Sequence, residues 1–300
     1  TTTDEEYTLI NSDIFYDNTC EIKIIGIVNL NTSFYTDKSI KIEEGKKLLL
    51  DLNGVKDIRV NKFYNCGTLE LKNGSLKSIS TATIENHGGI LQVSDLQLNH
   101  PSWSSDGEIH EYKGTVNIGG TSVLKIRNEK DGEDAGICNI SGDFKGEIYN
   151  SGTTNIKEGN IDAYIVNYSI MNIGSEEDSD NDNLNIKPYS ENFGSTDYRS
   201  CFFNNGGILN IYSGNIYSGE SAKNERAIYN SSSSSINMKG GHITAQKNGI
   251  YIGNDSSGVE IKIEKGIIET TDTTGDDSAI YARSNYETNI YIGDGNNKVE

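Results

Sequence analysis

Phe202–Ile243 reads FFNNGGILNIYSGNIYSGESAKNERAIYNSSSSSINMKGGHI, and it contains one unit written twice. The first copy runs Phe202-Phe203-Asn204, Leu209-Asn210-Ile211, Gly214-Asn215-Ile216; the second runs Ile228-Tyr229-Asn230, Ile236-Asn237-Met238, Gly241-His242-Ile243. Each copy holds three short runs of alternating apolar and polar residues separated by Gly, Ser and Asn. Such alternation marks a half-buried strand, and the separators are turn formers. Three strands per unit of roughly 20 residues describe one coil of a parallel β-solenoid.

Working outward, the same two-strand signature recurs along the chain. Tyr64-Asn65-Cys66-Gly67 leads to Leu69-Glu70-Leu71, Glu85-Asn86-His87-Gly88 to Leu91-Gln92-Val93, and Tyr112–Gly114 to Val116-Asn117-Ile118. Ile148-Tyr149-Asn150 leads to Thr154-Asn155-Ile156, and Ile165-Val166-Asn167 to Met171-Asn172-Ile173. Ile250-Tyr251-Ile252 with Glu260–Ile263, and Ile280-Tyr281-Ala282 with Asn289–Ile292, follow the doubled unit. Variable spacing between copies falls in loops, where a coil tolerates inserts. The expected fold is all-β: a single-stranded parallel β-helix of about ten coils, each of three short strands, over residues 46–300. Residues 1–45 depart from the repeat, and they are assigned as an N-terminal cap of lead-in strands (Thr8–Ile10, Glu21–Asn29, Ser39–Ile42), because an open solenoid end invites edge pairing. The coil begun at Tyr291–Gly295 predicts that the helix continues past residue 300.

Three columns follow from this register. Leu69/Leu71, Leu91/Val93, Val116/Ile118, Met171/Ile173, Leu209/Ile211 and Ile236/Met238 point inward. Asn65, Asn86, Asn150, Asn167, Asn204 and Asn230 suit an asparagine ladder at an inner turn, with amides bonded to one another and to buried backbone. One residue earlier stand Tyr64, Tyr149, Phe203, Tyr229, Tyr251 and Tyr281, which period-2 alternation places outside. Of these, Tyr149, Phe203, Tyr229, Tyr251 and Tyr281 form the candidate ligand stripe for stacking polysaccharide. The competing assignment has the rings covered by loops or stabilising neighbouring coils by offset stacking.

Composition narrows the partners. With 44 acidic against 26 basic residues the formal charge is -18, which argues against nucleic acid and anionic membranes, since both require a basic face. No run approaches the length of a membrane-spanning helix. TTTDEEY at the start has neither the basic nor the apolar segment of a signal peptide. Cys20, Cys66, Cys138 and Cys201 show no zinc-type spacing and fall at different phases of the repeat, so free thiols are expected. Asp178, Asp180 and Asp182 alternate as at the start of a calcium loop, making Ca²⁺ a candidate ligand there. Asn183 and Tyr189, however, stand where such a loop needs Gly and Glu. Glu129–Asp134 is a second acidic loop.

KLLLDLNG (Lys47–Gly54), EIYNSGTTNIKEGNI (Glu147–Ile161) and AIYNSSSSSINMKGGHI (Ala227–Ile243) carry a resemblance. They resemble the right-handed parallel β-helix proteins of the pectate-lyase-like superfamily. They are closer still to repetitive β-helix regions of adhesin-like surface proteins from gut-type Gram-positive bacteria. The likeness implies fold over residues 45–300 rather than activity. Of the polygalacturonase-like motifs only Asp276-Asp277 matches, and Gly241-His242-Ile243 stands nearest to Gly-His-Gly; His242 aligns with Asn160 and Asn215 at an ordinary outward position. None of the five arginines or Trp103 sits in a lyase-like arrangement. The expectation is a non-catalytic extracellular segment, secreted or at the cell surface, an adhesin or stalk that presents a binding face to glycan or host matrix. The alternatives are a polysaccharide lyase or hydrolase, including a phage tailspike-type depolymerase, and a calcium-dependent carbohydrate-binding module.

Overall fold

The computed structural model describes residues 26–29, 39–52, 54, 58–78, 82–99, 107–177, 183–189, 200–219, 225–253, 257–272, 278–283 and 288–293. Among these the secondary structure is strand without helix, and the strands pair in parallel, apart from the small antiparallel hairpin of Lys130–Asp131 with Asp134–Ala135. The fold is an all-β parallel solenoid. It divides into two compact units, residues 1–142 and 143–300.

In the first unit Lys47–Asp51 pairs with Thr68–Ser78, and that strand pairs with Ala82–Asn99, so Leu48, Leu69 and Leu91 lie one above another. All three are fully buried. The two described strands of the lead-in segment belong to the same stacking pattern: Gly26–Asn29 pairs in parallel with Lys47–Asp51, and Ser39–Ile42 with Lys62–Asn65. Thr8–Ile10 and Cys20 lie outside the described residues.

In the second unit Met171, Leu209, Ile236 and Ile261 form one unbroken buried column through strands Ile170–Ile173, Ile208–Ile211, Ser235–Met238 and Val259–Ile263. Every second residue of these strands points inward because the pleat alternates, and adjacent coils are about 4.8 Å apart, so equivalent side chains touch. The core is therefore a narrow pile of like residues rather than a globular centre. Corners are made by backbone that L side chains resist. Gly214, Gly241 and Gly266 turn successive coils with φ of 88°, 81° and 127°. A Cβ on Gly266 would also meet the carbonyl oxygen of Gly241 at 2.8 Å, so both conformation and space require glycine.

Candidate functional site

The asparagine column is a continuous hydrogen-bonded ladder within each unit. In the second unit Asn150 donates to Asn167 at 2.8 Å, Asn167 to Asn204 at 2.9 Å and Asn204 to Asn230 at 2.7 Å. The same amides donate to the carbonyls of Ile170, Ile208 and Ser235 in the coil that follows. All four asparagines are fully buried, so the ladder satisfies polar groups that water cannot reach. Glycines of the following coil make room for two of the amides: a Cβ on Gly207 would lie 2.4 Å from the Asn167 amide nitrogen, and one on Gly89 2.6 Å from that of Asn65. In the coil after Asn230, Ile252 takes the position.

In the first unit Asn65 donates to Asn86 at 2.6 Å, and Asn86 then donates to a carboxyl oxygen of Glu111, also at 2.6 Å. Glu111 thus occupies an asparagine slot, in register with Asn86 and fully buried. Burial pushes its carboxyl up to about 8, against the smaller opposing effect of the Asn86 hydrogen bond. A neutral carboxyl mimics an amide, with one oxygen accepting and the other carrying a proton. The second oxygen, Oε1, is turned toward Gly136, where a Cβ would stand 3.0 Å from it and 2.5 Å from Oδ1 of Asn128. Two acceptor oxygens converging on one glycine favour the protonated acid.

The aromatic stripe behaves differently from a row of exposed platforms. Phe203, Tyr229, Tyr251 and Tyr281 pair in register, with ring centroids 5.3, 5.3 and 5.4 Å apart. The last pair lies 13° from parallel, and the Arg226 guanidinium sits 3.5 Å from the Tyr251 centroid. The Tyr251 and Tyr281 rings therefore face one another, while the Phe203–Tyr229 and Tyr229–Tyr251 pairs are tilted by 50° and 31°. Phe203 and Tyr251 are buried, at 7% and 6% exposure, which corrects the expectation that the whole stripe faces solvent; Tyr281 remains 37% exposed. Val166 pairs with Phe203 in the preceding coil, and Tyr149 makes an edge contact with Tyr164 instead. Tyr64 stacks on His87 at 4.3 Å, and His87 on Tyr112 at 4.6 Å, so His87 is a ring within an aromatic pile.

Beside that pile lies a charged face not anticipated from the sequence. Glu108, buried to 1%, is held by Arg127 at 2.5 Å, Lys125 at 2.7 Å and His110 at 3.1 Å. Burial alone would raise this carboxyl, but the hydrogen bonds from His110, Lys125 and Arg127 hold it near 2. His110 also reaches Glu129 at 3.3 Å, and Lys62 pairs with Glu85 at 2.5 Å. The parts were visible as alternating charged residues in Lys62–Asn65, Glu85–His87, Glu108–Tyr112 and Lys125–Glu129; only the coil register brings them together.

Asp178, Asp180, Asp182, Asp276, Asp277 and Trp103 lie outside the described residues. Within the other acidic loop, Asp134 pairs with Lys113 at 3.3 Å. Among the described residues, no group of three His, Cys, Asp or Glu side chains is placed to hold a metal ion. Cys66, Cys138 and Cys201 are free thiols, and burial pushes those of Cys138 and Cys201 upward. His242 stands on an outer face, 2.9 Å from Glu269. No family model, curated protein or solved structure matches this chain.

Proposed function

We propose that this chain is a non-catalytic segment of an extracellular bacterial surface protein, an adhesin-like stalk that offers a lateral face to glycan or matrix. One observation carries the reading: asparagine side chains along an outer face bond to their equivalents in the neighbouring coil. Asn172, Asn210 and Asn237 do so. Such mutual engagement fixes a regular surface, which favours recognition of a repeating ligand. The resemblance to repetitive surface-protein helices supports the same class.

A second reading has its own observation. The face around Glu108 gathers a low-pKa carboxylate, a histidine, an arginine and a lysine, the residue types a polysaccharide lyase or hydrolase uses. Structural ion-pair networks perturb carboxylates equally well, and Glu108 is enclosed by its partners. A glycan array run beside reducing-sugar and unsaturated-product assays on uronic and neutral polysaccharides separates the readings. Binding without turnover supports the stalk. Turnover that disappears in Glu108→Gln or in the Asp276→Asn/Asp277→Asn double variant overturns it.

A further inference from the structure

The rings of the aromatic stripe contact one another along the column, but another face of the second unit has its hydrogen-bonding capacity turned outward. The start of Thr153–Asn167 and the strands Ile170–Ile173, Ile208–Ile211 and Ser235–Met238 stack in register, aligning Asn155, Asn172, Asn210 and Asn237. Each amide nitrogen donates to the oxygen of the preceding coil, at 2.8, 2.8 and 2.9 Å. All the dipoles run one way. An amide has two N–H donors and two acceptor sites, so these bonds use only half of the capacity at Asn172 and Asn210, which are partly exposed. Two residues earlier on the same face, Ile170 and Ile208 are 39% and 42% exposed. One residue after the inward-facing Ile211 stands Tyr212, with the Lys239 ammonium 5.4 Å from its ring centroid. In the following coil Glu260 and Lys262 replace these columns, so the amide comb ends there.

We propose that this face, centred on Asn172, Asn210 and Asn237 with Ile170, Ile208 and Tyr212 beside them, binds an extended neutral glycan chain. The proposal rests on the glycan-binding reading above and names its site and ligand class. A sugar hydroxyl both donates and accepts, which complements an amide and not a fixed charge. The isoleucine methyls meet the apolar C–H face of a pyranose ring, and Tyr212 extends that apolar border. Coils repeat at about 4.8 Å, close to the length of one pyranose in an extended chain, so consecutive sugars meet consecutive amides. The ladder fixes the amide rotamers before the ligand arrives, which removes an ordering cost from binding. The net charge of -18 repels polyanions and leaves neutral chains unaffected.

The test is titration calorimetry on the whole chain with hexasaccharides of β-1,4-linked glucose and of N-acetylglucosamine, their trisaccharides, and a galacturonate hexamer. A neutral hexamer is expected to bind at least about tenfold tighter than its trimer or than the galacturonate chain. Asn172→Asp/Asn210→Asp places like charges on the comb and is expected to weaken the neutral hexamer about tenfold or more. Because that variant also perturbs the ladder, Ile170→Glu/Ile208→Glu, which changes only exposed positions, serves as the independent arm with a similar expected loss. Ile267→Glu, at an exposed position on a different column, leaves binding unchanged. Undiminished neutral binding in folded Ile170→Glu/Ile208→Glu overturns this face as the site while glycan binding itself stands. Preference for galacturonate overturns the neutral ligand class. No binding to any of these chains overturns this inference, while the glycan array decides the broader surface-protein reading separately.

Discussion

Glu111→Gln isolates the one ladder position held by an ionisable group. The folded chain keeps the Glu111 proton until about pH 8, whereas the unfolded chain releases it near the ordinary 4.5. Between those values the unfolded state binds fewer protons, so rising pH destabilises the fold by about 1.4 kcal/mol per unit, of order 5 kcal/mol across the window. Above pH 8 both states are ionised and the effect levels off; below 4.5 both are protonated and it vanishes. Glutamine keeps the shape and accepts from Asn86 without titrating. Equilibrium urea unfolding of native and variant chains, followed at several pH values, gives a difference curve in which every other titrating group cancels. The variant is expected to match the native chain at about pH 4.5 and to exceed it by about 3 kcal/mol at neutrality. A difference that stays flat between pH 4.5 and 8 refutes the neutral carboxyl in the ladder.

Other outcomes follow from the same geometry. Glu108 has the opposite sign: its contribution is complete above 4.5 and is lost as pH falls toward 2, so acid melts should show a second decline that Glu108→Gln abolishes. That variant also leaves Lys125 and Arg127 without their shared carboxylate and should cost roughly 2 kcal/mol at pH 7 by urea titration. Asn204→Ala removes three hydrogen bonds from a buried site and should cost roughly 3 kcal/mol. Tyr251→Ala empties a position between Tyr229, Tyr281 and Arg226 and should lower stability by roughly 3 kcal/mol while leaving glycan affinity unchanged. Chelation should lower the melting temperature if the segment Asp178, Asp180, Asp182 holds Ca²⁺; an unchanged melt removes that assignment.

Much of the fold was legible because the pleat and the coil repeat act on the same residues. The spacing from Asn204 to Leu209 and from Asn230 to Ile236 placed the apolar columns, and the amides fell where a turn leaves backbone to satisfy. Glu111 escapes the pattern of an aromatic followed by asparagine, because in this coil a carboxyl fills the amide's slot. Counting back five residues from Val116, as Asn86 stands five before Leu91, reaches Glu111. Alternation alone also assigned Phe203 and Tyr251 to solvent. It carries no information about the neighbouring coil, whose rings arrive at stacking distance and whose Arg226 covers Tyr251. The charged face was hidden for a related reason: Glu108, Lys125 and Arg127 look like ordinary outward charges until register unites them.

Disulfide trapping reads that register directly. Adjacent parallel strands bring equivalent Cα atoms within the range a disulfide spans, while positions two coils apart exceed it. With Asn172→Cys and Asn210→Cys together, mild oxidation should give an intramolecular cross-link, identified by peptide mass spectrometry. Asn172→Cys with Asn237→Cys should give none. Efficient cross-linking of the second pair, or none in the first, would contradict the coil-on-coil stacking from which the ladders, the charged face and the proposed glycan site all follow.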